Sequence, residues 1–130
     1  MTANPDVPPA ARPPLHVLVV AGGPAGRELT ETLERAGHEV FVAAQAGEAV
    51  AMARFQLFDL MISEFDPPDV GGGKMLAELR KTQPRLRAIA VCGPSADQGE
   101  RRAAAAGFDR CLARPIEEPR LRQAIAQLAP

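Results

Sequence analysis

The stretch His16-Val17-Leu18-Val19-Val20, running into Ala21-Gly22-Gly23-Pro24, decides the fold of this 130-residue chain. A short β-branched run of this kind suits a strand buried on both faces. The glycines break it, and Pro24 fits the first turn of a helix, where its missing N–H costs nothing. The helix that follows carries Leu29, Leu33 and Ala36 as an apolar stripe, with Arg27, Glu28, Glu31 and Glu34 largely on the other side. Gly37 supplies its C-terminal stop. A buried strand feeding an amphipathic helix is one βα unit, and the rest of the chain repeats the theme.

Glu39 to Ala44 reads as a second strand, and Ala46 to Arg54 as an Ala-rich helix with Ala46, Ala49, Val50 and Ala53 inward. Leu57 to Ser63 is a third strand. Asp66-Pro67-Pro68-Asp69 and Gly71-Gly72-Gly73 form a loop before a helix over Lys74 to Lys81, with Met75, Leu76 and Leu79 inward. Ala88 to Cys92 is a fourth strand. Asp97 to Ala106 is a weak fourth helix, containing Gly99 and an apolar side made almost wholly of Ala. Arg110 to Ala113 is a fifth strand, and Glu117 to Leu128 a last helix striped by Leu121, Ala124, Ile125 and Leu128. Five strands alternating with five helices call for an α/β fold, a parallel sheet with helices on both faces. Right-handed crossovers at this length favour the doubly wound order 2-1-3-4-5, the flavodoxin-like arrangement. Residues 1–14 hold five prolines and little to bury, so they read as a disordered tail, with one domain over 15–130.

Composition narrows the function classes. At 46% hydrophobic the chain can bury a real core, built from aliphatic residues because it has no Trp or Tyr and only five Phe. The net charge of -1 argues against a nucleic-acid or acidic-membrane binder. Six arginines fall between Arg101 and Arg122, but acidic residues interleave with them, as on a solvated face. No apolar run is long enough to cross a bilayer. The N-terminus lacks the apolar core of a secretory signal, so a cytoplasmic setting is expected. Cys92 and Cys111 sit in no zinc-ligand spacing. Neither His16 nor His38 joins a recognisable catalytic triad order.

In a doubly wound sheet ligands bind beyond the carboxyl ends of the strands, where strand order reverses. Here that lies between the first and third strands. The residues to interrogate are therefore Ala21-Gly22, Glu64, Cys92-Gly93 and Arg114-Pro115.

Several pieces, in order and spacing, resemble a response-regulator receiver (CheY-like) domain. They are Val17 to Val20 leading to Pro24, Arg27-Glu28-Leu29, Ala36-Gly37-His38-Glu39-Val40, Glu48-Ala49 and Phe58-Asp59-Leu60. Pro68 four residues after Glu64, Ala106-Gly107 and Arg114-Pro115-Ile116 complete the set. The resemblance runs from Leu15 to about Leu128. It implies an aspartate phosphoacceptor ending the third strand, beside a divalent metal held by an acidic pair after the first strand. It also implies a Thr or Ser ending the fourth strand, a Lys ending the fifth, and a switch aromatic three residues before that Lys. Carried onto this chain, the acceptor position is Glu64 and the acidic pair is Ala21 and Gly22. Cys92 takes the hydroxyl position, Arg114 the Lys position and Cys111 the aromatic position. All of them depart from the family pattern.

The departures bear on chemistry. Phosphoryl transfer needs its charge neutralised, usually by a metal and a fixed cation. Magnesium wants carboxylate oxygens in octahedral geometry, and Ala21 and Gly22 have none to give. Glu64 is one methylene longer than aspartate, and a Cys92 thiol donates a weaker hydrogen bond than a hydroxyl. The expectation is a degenerate pseudo-receiver: not an enzyme, without magnesium or another cofactor, working by protein contact in a two-component phosphorelay. Glu64 and Arg114, both longer than the residues they replace, either form an ion pair across the pocket or face water separately. Cys92 and Cys111, on neighbouring strands, are expected to be two buried thiols rather than a redox pair.

The resemblance also implies partners: a histidine kinase, an output domain or another regulator, or a second copy, met through helix 4, strand 5 and helix 5. On this chain that surface carries Arg101, Arg102, Arg110, Arg120 and Arg122. Two alternatives stay open. One is a phosphorylatable receiver using Asp66 as acceptor. The other is a dinucleotide module using the Gly22 to Gly26 loop, against which stands the lack of an acidic residue ending the second strand.

Overall fold

The computed structural model describes residues 14–64, 72–92 and 96–128. Strands β1 (His16–Val20), β2 (Glu39–Ala43), β3 (Leu60–Glu64), β4 (Arg87–Cys92) and β5 (Arg110–Ala113) alternate with five helices. These are α1 (Gly23–Arg35), α2 (Ala46–Ala53), α3 (Gly72–Thr82), α4 (Ala96–Ala105) and α5 (Glu118–Leu128). The strands pair in parallel in the order β2-β1-β3-β4-β5, as the alternating pattern predicts. Asp66, the alternative acceptor, together with Asp69, Gly93 and the first thirteen residues of the expected tail, lies outside the described residues.

Strand alternation splits the core into two layers. Leu18, Met61, Ala88 and Ala90 point to the side covered by α2, α3 and α4, where they meet Ala49, Leu76, Leu79 and Ala103. Val17, Val19, Ile62, Ile89 and Val91 point to the other side, onto Leu29 and Leu33 of α1 and Leu121, Ala124 and Ile125 of α5. Successive strand residues are thus buried on opposite faces, which is why β1 and β4 read as continuous apolar runs. Burying such side chains contributes about 1.5–3 kcal/mol each.

One element begins later than its sequence suggests. Leu57 is 74% exposed and is not in β3, which starts at Leu60. The Phe58 N–H donates to the side-chain oxygen Oε1 of Gln83 (2.8 Å) and not to a strand, so the ladder starts further on. Asp59 then joins β3 to β1: its N–H donates to the His16 carbonyl (2.9 Å) and its Oδ2 accepts from the His16 N–H (2.8 Å).

The β1–α1 turn is what positions the site. Gly23 has φ +64°, a left-handed conformation that favours glycine. Gly26 faces the end of β1, and a Cβ there would collide with the Ala21 carbonyl oxygen. The glycine-rich stretch therefore lets α1 pack closely on β1.

Candidate functional site

The carboxyl ends of β1, β3, β4 and β5 bring together Ala21, Glu64, Cys92 and Arg114, residues spread over most of the chain. Ala21 closes β1 as a buried residue, its N–H donating to the Ala43 carbonyl (3.1 Å). Gly22 follows as the exposed N-cap of α1 and makes no side-chain cap. Neither carries a side-chain oxygen toward the site.

Glu64 ends β3 as a half-buried carboxylate. Ser63 beside it is buried and donates its hydroxyl to the Glu64 carbonyl (3.0 Å). Arg114 follows β5, its N–H donating to the Cys92 carbonyl (3.2 Å). Its Nη2 lies 3.2 Å from Glu64 Oε2, so of the two arrangements open to the sequence the ion pair is the one formed. The Arg114–Pro115 peptide is cis.

The described residues at these strand ends do not make a magnesium site of the ordinary kind. A hard cation needs several oxygens. Ala21 and Gly22 offer none, and the Glu64 carboxylate is already engaged by a guanidinium. Among the described residues no cluster of three His, Cys, Asp or Glu is arranged to hold a metal.

The second cysteine corrects the sequence reading. Cys92 and Cys111 are not two separate thiols: they form a disulfide, with Cα atoms 6.3 Å apart. Their direct strand partners are Ala113 and Ala90, so the two are diagonal neighbours on one face of the sheet. The sequence places the two on neighbouring strands but favours separate thiols; the parallel register is what sets position 92 diagonal to position 111.

Sequence reasoning also missed a cavity of about 380 Å³ next to Arg114, between α1 and the turn after β5. Glu28, Leu29 and Thr32 line it from one side and Pro115, Ile116 and Leu121 from the other. These residues are more than eighty positions apart, and only the crossover packing of α1 beside α5 joins them. The five arginines of the expected contact surface are all exposed. Arg120 pairs with Glu117 (3.3 Å) and Arg122 with Glu118 (3.0 Å) along α5. The glycine-rich loop holds no acidic partner at the end of β2, which closes on Val42 and Ala43.

Comparison with known proteins places this geometry. The family model described as "Response regulator receiver domain" matches residues 17–126. A response regulator receiver protein of Anaeromyxobacter sp. (strain Fw109-5) is 32% identical over 93 residues, 72% of this chain and 39% of that protein. The sensor histidine kinase AruS of Pseudomonas aeruginosa is 34% identical over 127 residues, 93% of this chain but 13% of the kinase. The chain thus spans well under half the length of these two curated relatives. Among solved structures, a putative response regulator from Chloroflexus aurantiacus matches with a TM-score of 0.81 at 23% identity, over 89% of this chain and 98% of that one. The receiver domain of a Pseudomonas aeruginosa sensor histidine kinase, with magnesium coordinated in its active-site cleft, matches with a TM-score of 0.76 at 25% identity, over 89% and 98% of the two chains.

Proposed function

Because the chain belongs to the response regulator receiver domain family, we propose that it is a two-component signalling module that acts by protein contact without being phosphorylated. The observation that carries this reading is the 3.2 Å ion pair between Glu64 and Arg114, beside strand ends at Ala21 and Gly22 that hold no carboxylate. Receivers of the family need a carboxylate free to accept the phosphoryl group and a metal to neutralise its charge. Here the carboxylate is held by a fixed cation, which takes the place a phosphoryl–lysine contact would occupy. A guanidinium is permanently charged, so this contact does not come and go with a donor. The surface the domain offers then does not depend on phosphorylation.

That surface is the exposed arginine set Arg101, Arg102, Arg110, Arg120 and Arg122 on α4, β5 and α5. Its partner is a signalling protein with a complementary acidic face, such as a kinase or output domain, or a second copy of this chain. The domain itself is not an enzyme, takes no magnesium or other cofactor at the strand ends, and works in the cytoplasm. No helix among the described residues is long and apolar enough to cross a membrane.

The test is intact mass after incubation with acetyl phosphate and magnesium. An unchanged mass is the expected result. A phosphoryl adduct mapping to Asp66 or Asp69 would return the domain to the working phosphorelay and overturn the reading.

A further inference from the structure

Beyond this reading, and independent of it, we propose that Cys92 and Cys111 form a thiol–disulfide switch, oxidised by a small-molecule disulfide, whose state sets how α4 seats on the sheet. Four observations meet at this point. The cysteines are diagonal neighbours on the α4 side of β4 and β5, with Cα atoms 6.3 Å apart and the sulfurs bonded. That separation lies within the ordinary disulfide range of about 4.4–6.8 Å.

The second observation is Gly99 of α4. A Cβ built there would stand 2.8 Å from Cys92 Cβ, 3.1 Å from Cys92 Sγ and 3.4 Å from Cys111 Sγ. The backbone of α4 therefore rests directly on the sulfur pair, and only glycine permits that approach. Two unbonded thiols need van der Waals separation, and the helix closes the space on their open side. Reduction lifts α4 at Gly99, and oxidation lets it settle.

Access is the third. Cys92 is 1% exposed, whereas Cys111 is half-buried and lines a pocket of about 260 Å³ with Glu100, Ala103, Phe108 and Arg110. Cys111 is thus the attacking thiol. Its thiolate displaces one half of the small disulfide as a free thiol and forms a mixed disulfide. The Cys92 thiolate then attacks the Cys111 sulfur and releases the second half as a thiol. The protein gives up two thiol protons and two electrons, and the small disulfide becomes two thiols.

The fourth is the link outward. The Cys92 carbonyl accepts the Arg114 N–H at 3.2 Å, so the same residue that carries the buried sulfur also anchors the arginine paired with Glu64.

The test uses the wild-type chain, reduced or treated with oxidised glutathione, then alkylated and weighed intact. Two alkyl groups on the reduced protein, and none on an oxidised protein lighter by two hydrogens, are expected. Hydrogen exchange of the α4 amides should be at least about threefold faster in the reduced form, as expected of a helix with lower local stability. The Cys111→Ser variant should show the faster exchange under both conditions. Two alkyl groups after oxidation, a persistent glutathionyl adduct, or equal α4 exchange in the two states would each overturn the proposal.

Discussion

Arg114 reaches across the end of the sheet to place Nη2 3.2 Å from Glu64 Oε2, joining the strand at the centre of the sheet to the turn after its edge. On the proposed reading the pair occupies the acceptor position, and it is held from behind by the bond from the Arg114 N–H to the Cys92 carbonyl.

Both members of the pair are part-exposed, at 44% for Arg114 and 29% for Glu64. Its contribution to stability is therefore on the order of 0.5 kcal/mol, as for other solvated ion pairs. A double-mutant cycle with Glu64→Gln and Arg114→Gln, read by urea unfolding, should return a coupling of that size. A coupling above about 2 kcal/mol would mean the pair is far better shielded than its exposure indicates.

Restoring oxygens should restore the cation. A Cβ at Gly22 meets nothing within 4 Å, so an acidic side chain has room there. The variant Ala21→Asp/Gly22→Asp/Glu64→Asp should bind magnesium in a calorimetric titration, and the wild type should give no heat. Magnesium binding by the wild type would contradict the proposed function.

Gln83 is a buried polar residue with a structural task. Its Oε1 accepts from the Phe58 N–H (2.8 Å), and its Nε2 donates to the carbonyls of Ala53 (3.0 Å) and Gln56 (2.8 Å). Gln83→Leu strands three backbone groups at once and should cost about 3 kcal/mol, seen as a lower urea midpoint at unchanged slope.

The two glycines of the first turn should respond in opposite ways. Gly26→Ala drives a methyl into the Ala21 carbonyl and should destabilise by about 1–3 kcal/mol. Gly22→Ala, at φ -95° and with open space around it, should be close to neutral in the same unfolding assay. Equal effects would mean that the close packing of α1 on β1 is not what Gly26 serves.

His38 makes stability depend on pH. Burial first, and the Arg122 guanidinium second, hold its imidazole below the ordinary value of 6.5. Its Nδ1 accepts the Leu15 N–H (3.3 Å), which requires the neutral ring. The unfolded chain binds the proton more readily than the folded one, so this contribution is full above the ordinary value. It is lost as pH falls through the lower folded value. The urea midpoint should drop as pH falls from about 7 to about 5, and drop less in His38→Gln.

The sequence by itself determined the layered α/β architecture, because buried parallel strands and amphipathic helices leave different periodicities along the chain. Val17 to Val20 and Leu29 with Leu33 are where those periodicities place them. It also named the residues at the strand ends, since strand order fixes where a cleft must open. Tertiary structure alone decided what those residues do to one another. Whether Glu64 meets Arg114 depends on rotamers that no linear pattern encodes. Cys92 meets Cys111 through parallel register, with α4 resting on them at Gly99. Leu57, read as strand, is exposed, and the next N–H, that of Phe58, is taken by the side-chain oxygen of Gln83, 25 residues further along the chain, and not by the ladder. Pairings of this kind are set by crossover geometry, which brings distant positions together for reasons that neighbouring residues do not carry.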